Sequence, residues 1–187
     1  MSPVVSEFMR FKAPDEVALE SDIVETRLKL VAAVRAGDAL TIVDAAADLG
    51  SLLTTGRRES EAKQMLEGHL YLAEAQTQHE PAGWFWNTYA TVLQYCDERA
   101  QAEKHFLKAI EVAKAGGWRR LEALALHHWG RSLVEQERFA EAEARISEAL
   151  AIRVELKEPR QESSRQALAE LSALQSKLGH LRTRGDA

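Results

Sequence analysis

The sequence is poor in cysteine, proline and glycine, with one, four and ten among 187 residues. Cys96 alone cannot close an internal disulfide, which excludes a disulfide-stapled secreted fold. No stretch approaches the roughly eighteen apolar residues of a spanning helix, so no membrane insertion is expected. Residues 1–14 lack the basic start and apolar run of a signal peptide, and the expectation is a cytoplasmic protein. The net charge of −5 leaves no surplus of Lys and Arg to hold phosphates, so nucleic acid is not an expected partner. No Gly-rich phosphate loop and no nucleophile elbow is present. The histidines lack metal-ligand spacing: none lies four residues from another, and adjacent His127 and His128 point about 100° apart on a helix. We therefore expect no metal, no cofactor and no catalytic residues, and a protein that is not an enzyme.

What is present is helix-forming. Between Gly37, Gly56, Pro81 with Gly83, Gly116 with Gly117, Pro159 and Gly179 lie segments rich in Ala, Leu, Glu, Lys, Arg and Gln. Apolar residues recur at helical spacing, as in Ala102, Phe106, Ala109, Ile110 and Ala113. No run alternates with the two-residue period of a strand, so the chain reads as all-α. The spacing predicts helices over 15–36, 38–54, 59–78, 82–95, 99–115, 118–135, 139–156 and 162–178. Asp38 is a natural N-cap for the second, and Ser163 or Ser164 for the last. Residues 1–14 and 180–187 read as flexible tails.

The chain repeats itself at an offset of 40 residues. Gly50, Ala90 and Gly130 align, as do Leu53, Leu93 and Leu133. Ala62, Ala102 and Ala142 align, then Leu66, Phe106 and Ile146, then His69, Ala109 and Ala149. Residues 43–82, 83–122 and 123–162 are thus three copies of one helix–turn–helix unit. Gly costs about 1 kcal/mol relative to Ala inside a helix. Its recurrence at 50 and 130, with Ala90 between, calls for a close helix crossing at that position.

This pattern resembles the tetratricopeptide repeat. Its helix A residues are Trp86, Tyr89, Ala90 and Leu93 in the second copy, with Ala102, Phe106 and Ala109 on helix B. In the third copy they are Leu126, Trp129, Gly130 and Leu133, then Ala142, Ile146 and Ala149, with Phe139 opening helix B. The family's usual period is about 34 residues. The longer repeat here, without the proline that closes helix B, is similar to long-helix members such as kinesin light chains. The resemblance implies a right-handed α-solenoid of antiparallel helix pairs: an N-terminal capping helix over 15–37, three repeats over 38–162 and a C-terminal capping helix over 163–179. Stacking is required because one repeat cannot bury its own apolar face.

The resemblance also implies a concave groove lined by helix A residues. These are Asp44, Ala47, Ser51 and Thr55; then Trp84, Asn87, Thr91, Gln94 and Tyr95; then Leu124, His127, Arg131 and Glu135. Trp84 and Tyr95 lie off the repeat's core positions and either face this groove or contact the neighbouring helix. Asn87 can both donate to and accept from a peptide backbone, and Arg131 can grip a carboxylate with two parallel bonds. The candidate partner-binding residues are Trp84, Asn87, Thr91, Tyr95, His127, Arg131 and Glu135. The carboxylate clamp of heat-shock-type members is missing, since Ala47, Ser51, Thr88, Leu124 and His128 stand at its places. The expected function is a non-catalytic scaffold for another protein or an extended peptide. The alternatives are a self-associating structural protein, a homodimer through the apolar residues of the first helix, and a peptide-sensing regulatory module.

Overall fold

The computed structural model describes residues 7–185, with side chains as far as Leu178. Residues 1–6 and 186–187 of the two expected tails lie outside it. Among the described residues the fold is all-α, with nine helices and no strand. They are α1 (Glu16–Ala36), α2 (Ala39–Thr55), α3 (Glu59–Glu67), α4 (Leu70–Ala75), α5 (Glu80–Tyr95), α6 (Arg99–Gly116), α7 (Arg119–Glu135), α8 (Phe139–Glu155) and α9 (Gln161–Gly185). Each long helix packs on its sequence neighbour, α5 on α6 and α7 on α8 most extensively. Helices α2, α5 and α7 also pack in succession, so the first helices of the three copies lie side by side.

The 40-residue period reappears in backbone geometry. Arg57, Asp97 and Glu137 each hold a left-handed φ, of 59°, 63° and 59°. Each sits just past the end of α2, α5 or α7. In each case the next N–H reaches back five residues, from Arg58 to Leu53, Glu98 to Leu93 and Arg138 to Leu133, at 2.8–3.0 Å. This paired C-terminal cap satisfies carbonyls that the helix end would otherwise orphan. Left-handed φ is costly for residues with a Cβ. Three non-glycine residues therefore hold one turn geometry because the packing of the hairpin imposes it.

The side-chain register follows the repeat. Ala62, Ala102 and Ala142 are completely buried, as are Leu66, Phe106 and Ile146. A Cβ added to Gly50 would come within 2.9 Å of Leu66, and one on Gly130 within 2.5 Å of Ile146 and 3.2 Å of the Ala142 carbonyl oxygen. The two glycines thus face equivalent residues of the next helix, and the crossing explains why neither carries a side chain.

Three local expectations are corrected. The helix expected over 59–78 is broken between α3 and α4, where Gly68 ends the first piece. At the repeat position where Ala109 and Ala149 are completely buried, the first copy has His69. An imidazole cannot enter that crossing; the ring stays half-buried and its Nδ1 lies 2.9 Å from the Met65 carbonyl oxygen. The C-terminal helix starts at Gln161, ahead of Ser163 and Ser164, so neither serine caps it. It also continues to Gly185 rather than stopping at Gly179, so residues 180–185 are helical and not a loose tail. Asp38 caps α2 as expected, and Asp15 caps α1 in the same way, each accepting two backbone N–H bonds.

The crossing at Gly130 yields a coupled prediction. Gly130→Ala is expected to destabilise the fold by about 1–3 kcal/mol through overpacking. In an Ile146→Ala background the cost of Gly130→Ala should shrink by about half or more, because the closest clashing atoms are gone and only the Ala142 carbonyl contact remains. Urea unfolding of the four proteins checks this; additive effects would contradict the crossing.

Candidate functional site

Helices α2, α5 and α7 present their polar faces to one side, and the chain's own N-terminal segment lies there. Residues 10–13 carry no regular structure, and Glu7 and Met9 hold left-handed φ of 65° and 49°. The expectation of a flexible tail over 1–14 therefore fails for the described part, because four anchors hold it.

The first anchor is an ion pair. Arg10 Nε donates to Glu135 Oε1 at 2.8 Å and Nη2 to Oε2 at 2.9 Å. The Glu135 side chain is wholly shielded from solvent and that of Arg10 is only 6% exposed. Such a two-bond fork is the strongest common carboxylate contact. Arg99 stands 3.5 Å from the same carboxylate. The second anchor is Tyr95, whose ring lies 4.5 Å under the Arg10 guanidinium and whose hydroxyl accepts the Phe11 N–H at 2.9 Å. The third is Arg131, which donates to the Met9 carbonyl oxygen and lies 4.6 Å over the Phe11 ring. His128 meets that ring edge-to-face at 5.4 Å. The fourth, Glu7 with Arg57 at 2.8 Å, is exposed and contributes little.

All seven residues singled out from the sequence fall on this side of the molecule. Tyr95, Arg131 and Glu135 touch the segment directly. Trp84, Asn87, His127 and Arg131 line a cavity of about 570 Å³ beside it, closed on one side by Met9 and Phe11. Thr91 lies at the adjoining depression with Asn87 and His128. Trp84 is half-buried and donates to Glu80 at 3.2 Å; the other six are buried.

Sequence reasoning missed Arg10, Phe11, Arg153, Arg160 and Ser164. The first two stood in a segment read as a tail, although Phe8-Met9-Arg10-Phe11 is an apolar and basic cluster that a solvated tail has no need of. Arg153 belongs to α8 and reaches the cavity from behind. It is 2% exposed and donates to Ser164 Oγ at 2.8 Å and to the Arg160 carbonyl oxygen at 3.1 Å. Ser164 Oγ in turn lies 3.3 Å from His127 Nδ1.

The electrostatics of the buried face are unusual. Burial, with Arg153 and Arg131 nearby, pulls His127 down to about 3. Burial pulls His128 well below the ordinary histidine range, and the same two arginines add to the effect. Both rings are neutral at pH 7. Among the described residues, no group of three or more His, Cys, Asp or Glu side chains is placed to hold a metal ion, and no helix is long and apolar enough to cross a membrane. No protein-family model matches the chain, and no curated protein is significantly similar to it.

The neutral histidines set a pH dependence. In the unfolded chain they protonate near pH 6.5, while in the fold they do not. The unfolded state then binds more protons below that pH, so stability falls as pH drops. Between pH 7.5 and 5.5 the loss should be about 1 kcal/mol per histidine. Asp44 and Asp48, both pushed up mainly by burial, act in the opposite sense nearer the carboxylate range. Urea midpoints at the two pH values should converge in His127→Gln relative to wild type; an unchanged pH dependence would contradict the buried neutral ring.

Proposed function

We propose that this protein is a non-catalytic binding module, a right-handed tetratricopeptide-type α-solenoid whose concave groove takes an extended peptide segment of another protein. The observation that carries this reading is the docked segment around Phe8–Phe11, which uses the groove face as a ligand would. The groove supplies one buried carboxylate for a cation, one aromatic hydroxyl and one guanidinium for the backbone, and an imidazole edge for an aromatic ring. These are the elements of peptide recognition: anchors that fix side chains, and polar groups that satisfy the main chain. The repeated hairpins, the recurring turns and the side-by-side α2, α5 and α7 support the solenoid. A partner must displace the resident segment, which lowers its apparent affinity by the fraction of chains in which the groove is open.

The test uses the full chain. Arg10→Ala/Phe11→Ala should release the segment without touching a groove residue, and chymotrypsin should then cleave at Phe8 at least about tenfold faster. A fluorescent peptide of residues 5–14 should bind this double variant and bind wild type at least about tenfold more weakly, since wild type carries its own competitor. A peptide with the same two alanines should bind neither. Failure of the native peptide to bind a folded double variant would contradict the reading.

A second reading rests on α1. Ile23, Leu30 and Ala33 face α2, but Val17, Val24, Leu28, Val31 and Val34 are exposed, and Val17 is 83% so. Val17, Val24 and Val31 recur every seven residues with Leu28 between the last two, a spacing suited to a helix seam. Self-association through a second copy of α1 would cover it. Light scattering should then find a dimer that Leu28→Glu dissociates without loss of helix content; a wild-type monomer at high concentration would remove this reading.

A further inference from the structure

The cavity beside the docked segment has a charge imbalance that the peptide reading does not use. Among the described residues its cationic lining is Arg131, Arg153 and Arg160, and its only carboxylate is Asp48. Arg131 and Arg153 are 4% and 2% exposed, and burial pulls both guanidiniums below their ordinary value. The partners they have are mostly neutral: Met9 and Arg160 carbonyl oxygens, the Tyr95 hydroxyl and Ser164 Oγ. Arg153 Nε forms a long ion pair with Glu158 Oε2 at 4.0 Å, too far for a hydrogen bond. Glu135 is occupied by Arg10 and approached by Arg99. Among the described residues the buried Nε atoms of Arg131 and Arg153 donate to no hydrogen-bond acceptor. Arg160 is exposed at the rim and makes no ion pair among the described residues.

Taking a cation out of water costs several kcal/mol unless an anion or a full set of acceptors replaces the water. Arg131 and Arg153 are thus buried guanidiniums whose hydrogen-bond partners are neutral and whose carboxylate contact is limited to the long one from Arg153 to Glu158, an arrangement suited to receiving an oxyanion. The apolar part of the remaining wall is Met9, Phe11, Ala47, Trp84 and Leu124, and Ser, Thr, Asn and neutral His side chains make up the rest. A cavity of about 570 Å³ suits a small organic molecule rather than a bare ion.

We propose that this cavity binds a small organic oxyanion, a carboxylate or phosphate on an apolar body. The charged group is held by Arg131, Arg153 and Arg160, and the body lies against Trp84, Leu124 and Phe11. The inference does not rest on the peptide reading, because Met9 and Phe11 complete the cavity walls with the segment in place. Ligand and segment then favour each other, and the bound anion tightens the segment against the groove.

Full-length protein should be titrated calorimetrically with phenyl phosphate, phenylacetate, inorganic phosphate and 2-phenylethanol at constant ionic strength. At least one aromatic anion is expected to bind with a Kd below about 1 mM, at least about tenfold tighter than inorganic phosphate and than the neutral alcohol. Which of the two binds tighter identifies the head group. Arg160→Gln, at an exposed position, should weaken it about fivefold or more, and Arg153→Gln more strongly. Bound anion should slow chymotrypsin cleavage at Phe8. The proposal is overturned if neither aromatic anion binds the folded wild type, if the alcohol binds equally well, or if Arg160→Gln binds as wild type does. Arg10→Ala/Phe11→Ala tests the peptide reading separately, since Arg160→Gln leaves every segment anchor in place.

Discussion

One constraint recurs along this chain: paired helices cross so closely that a single position must carry little or no side chain. Gly50 meets Leu66 and Gly130 meets Ile146, 80 residues apart and in equivalent places. That crossing sets the hairpin's geometry, and the hairpin sets the turn. Arg57, Asp97 and Glu137 accept left-handed backbone because the helices on either side are already fixed. With hairpins alike, their first helices come to lie side by side, and the residues that do not serve the core share one face. The candidate site is a consequence of this register.

That face is not free to be wet on both sides. Tyr95, Glu135 and Arg131 are buried, and the carboxylate and the guanidinium among them need partners. The N-terminal segment supplies a cation for Glu135 and a carbonyl for Arg131, and the Phe11 ring lies against Arg131. Burying a carboxylate with a bidentate guanidinium is close to neutral in free energy, whereas removing that partner is unfavourable, and without Arg10 the Glu135 carboxylate keeps only the longer 3.5 Å contact with Arg99. The segment is therefore held by what its departure would expose as much as by its own contacts. A partner able to present the same chemistry can take its place, which is the basis of the proposed peptide exchange. The arginines deeper in the cavity are left with a deficit that the segment does not meet.

Much of this was legible in the sequence, for identifiable reasons. All-α character followed from composition and period, and the 40-residue offset located the buried positions because packing at a crossing tolerates few residue types. The seven candidate residues came out together because the resemblance assigns one face of each helix A to the groove, and α5 and α7 carry those positions. The break at Gly68 was less legible: it depends on His69 failing to fit where Ala109 and Ala149 fit. The docked segment was not read because its anchors, Tyr95 and Glu135, lie far from Arg10 and Phe11 in sequence. The one local sign, the apolar and basic run Phe8-Met9-Arg10-Phe11, does not say where in the chain its partners lie. Arg153 was missed for a related reason, since it sits on a second helix of the repeat and reaches the cavity through the stack.

The central claim is that the N-terminal segment occupies the groove as a specifically bonded ligand. The most direct measurement is amide hydrogen exchange of Phe11, whose N–H is bonded to the Tyr95 hydroxyl. In wild type this amide should exchange at least about a hundredfold more slowly than an unstructured chain, and Glu135→Gln should erase most of that protection while core amides of α5 and α7 stay slow. Exchange of Phe11 at the unstructured rate in the folded wild-type protein would contradict the account.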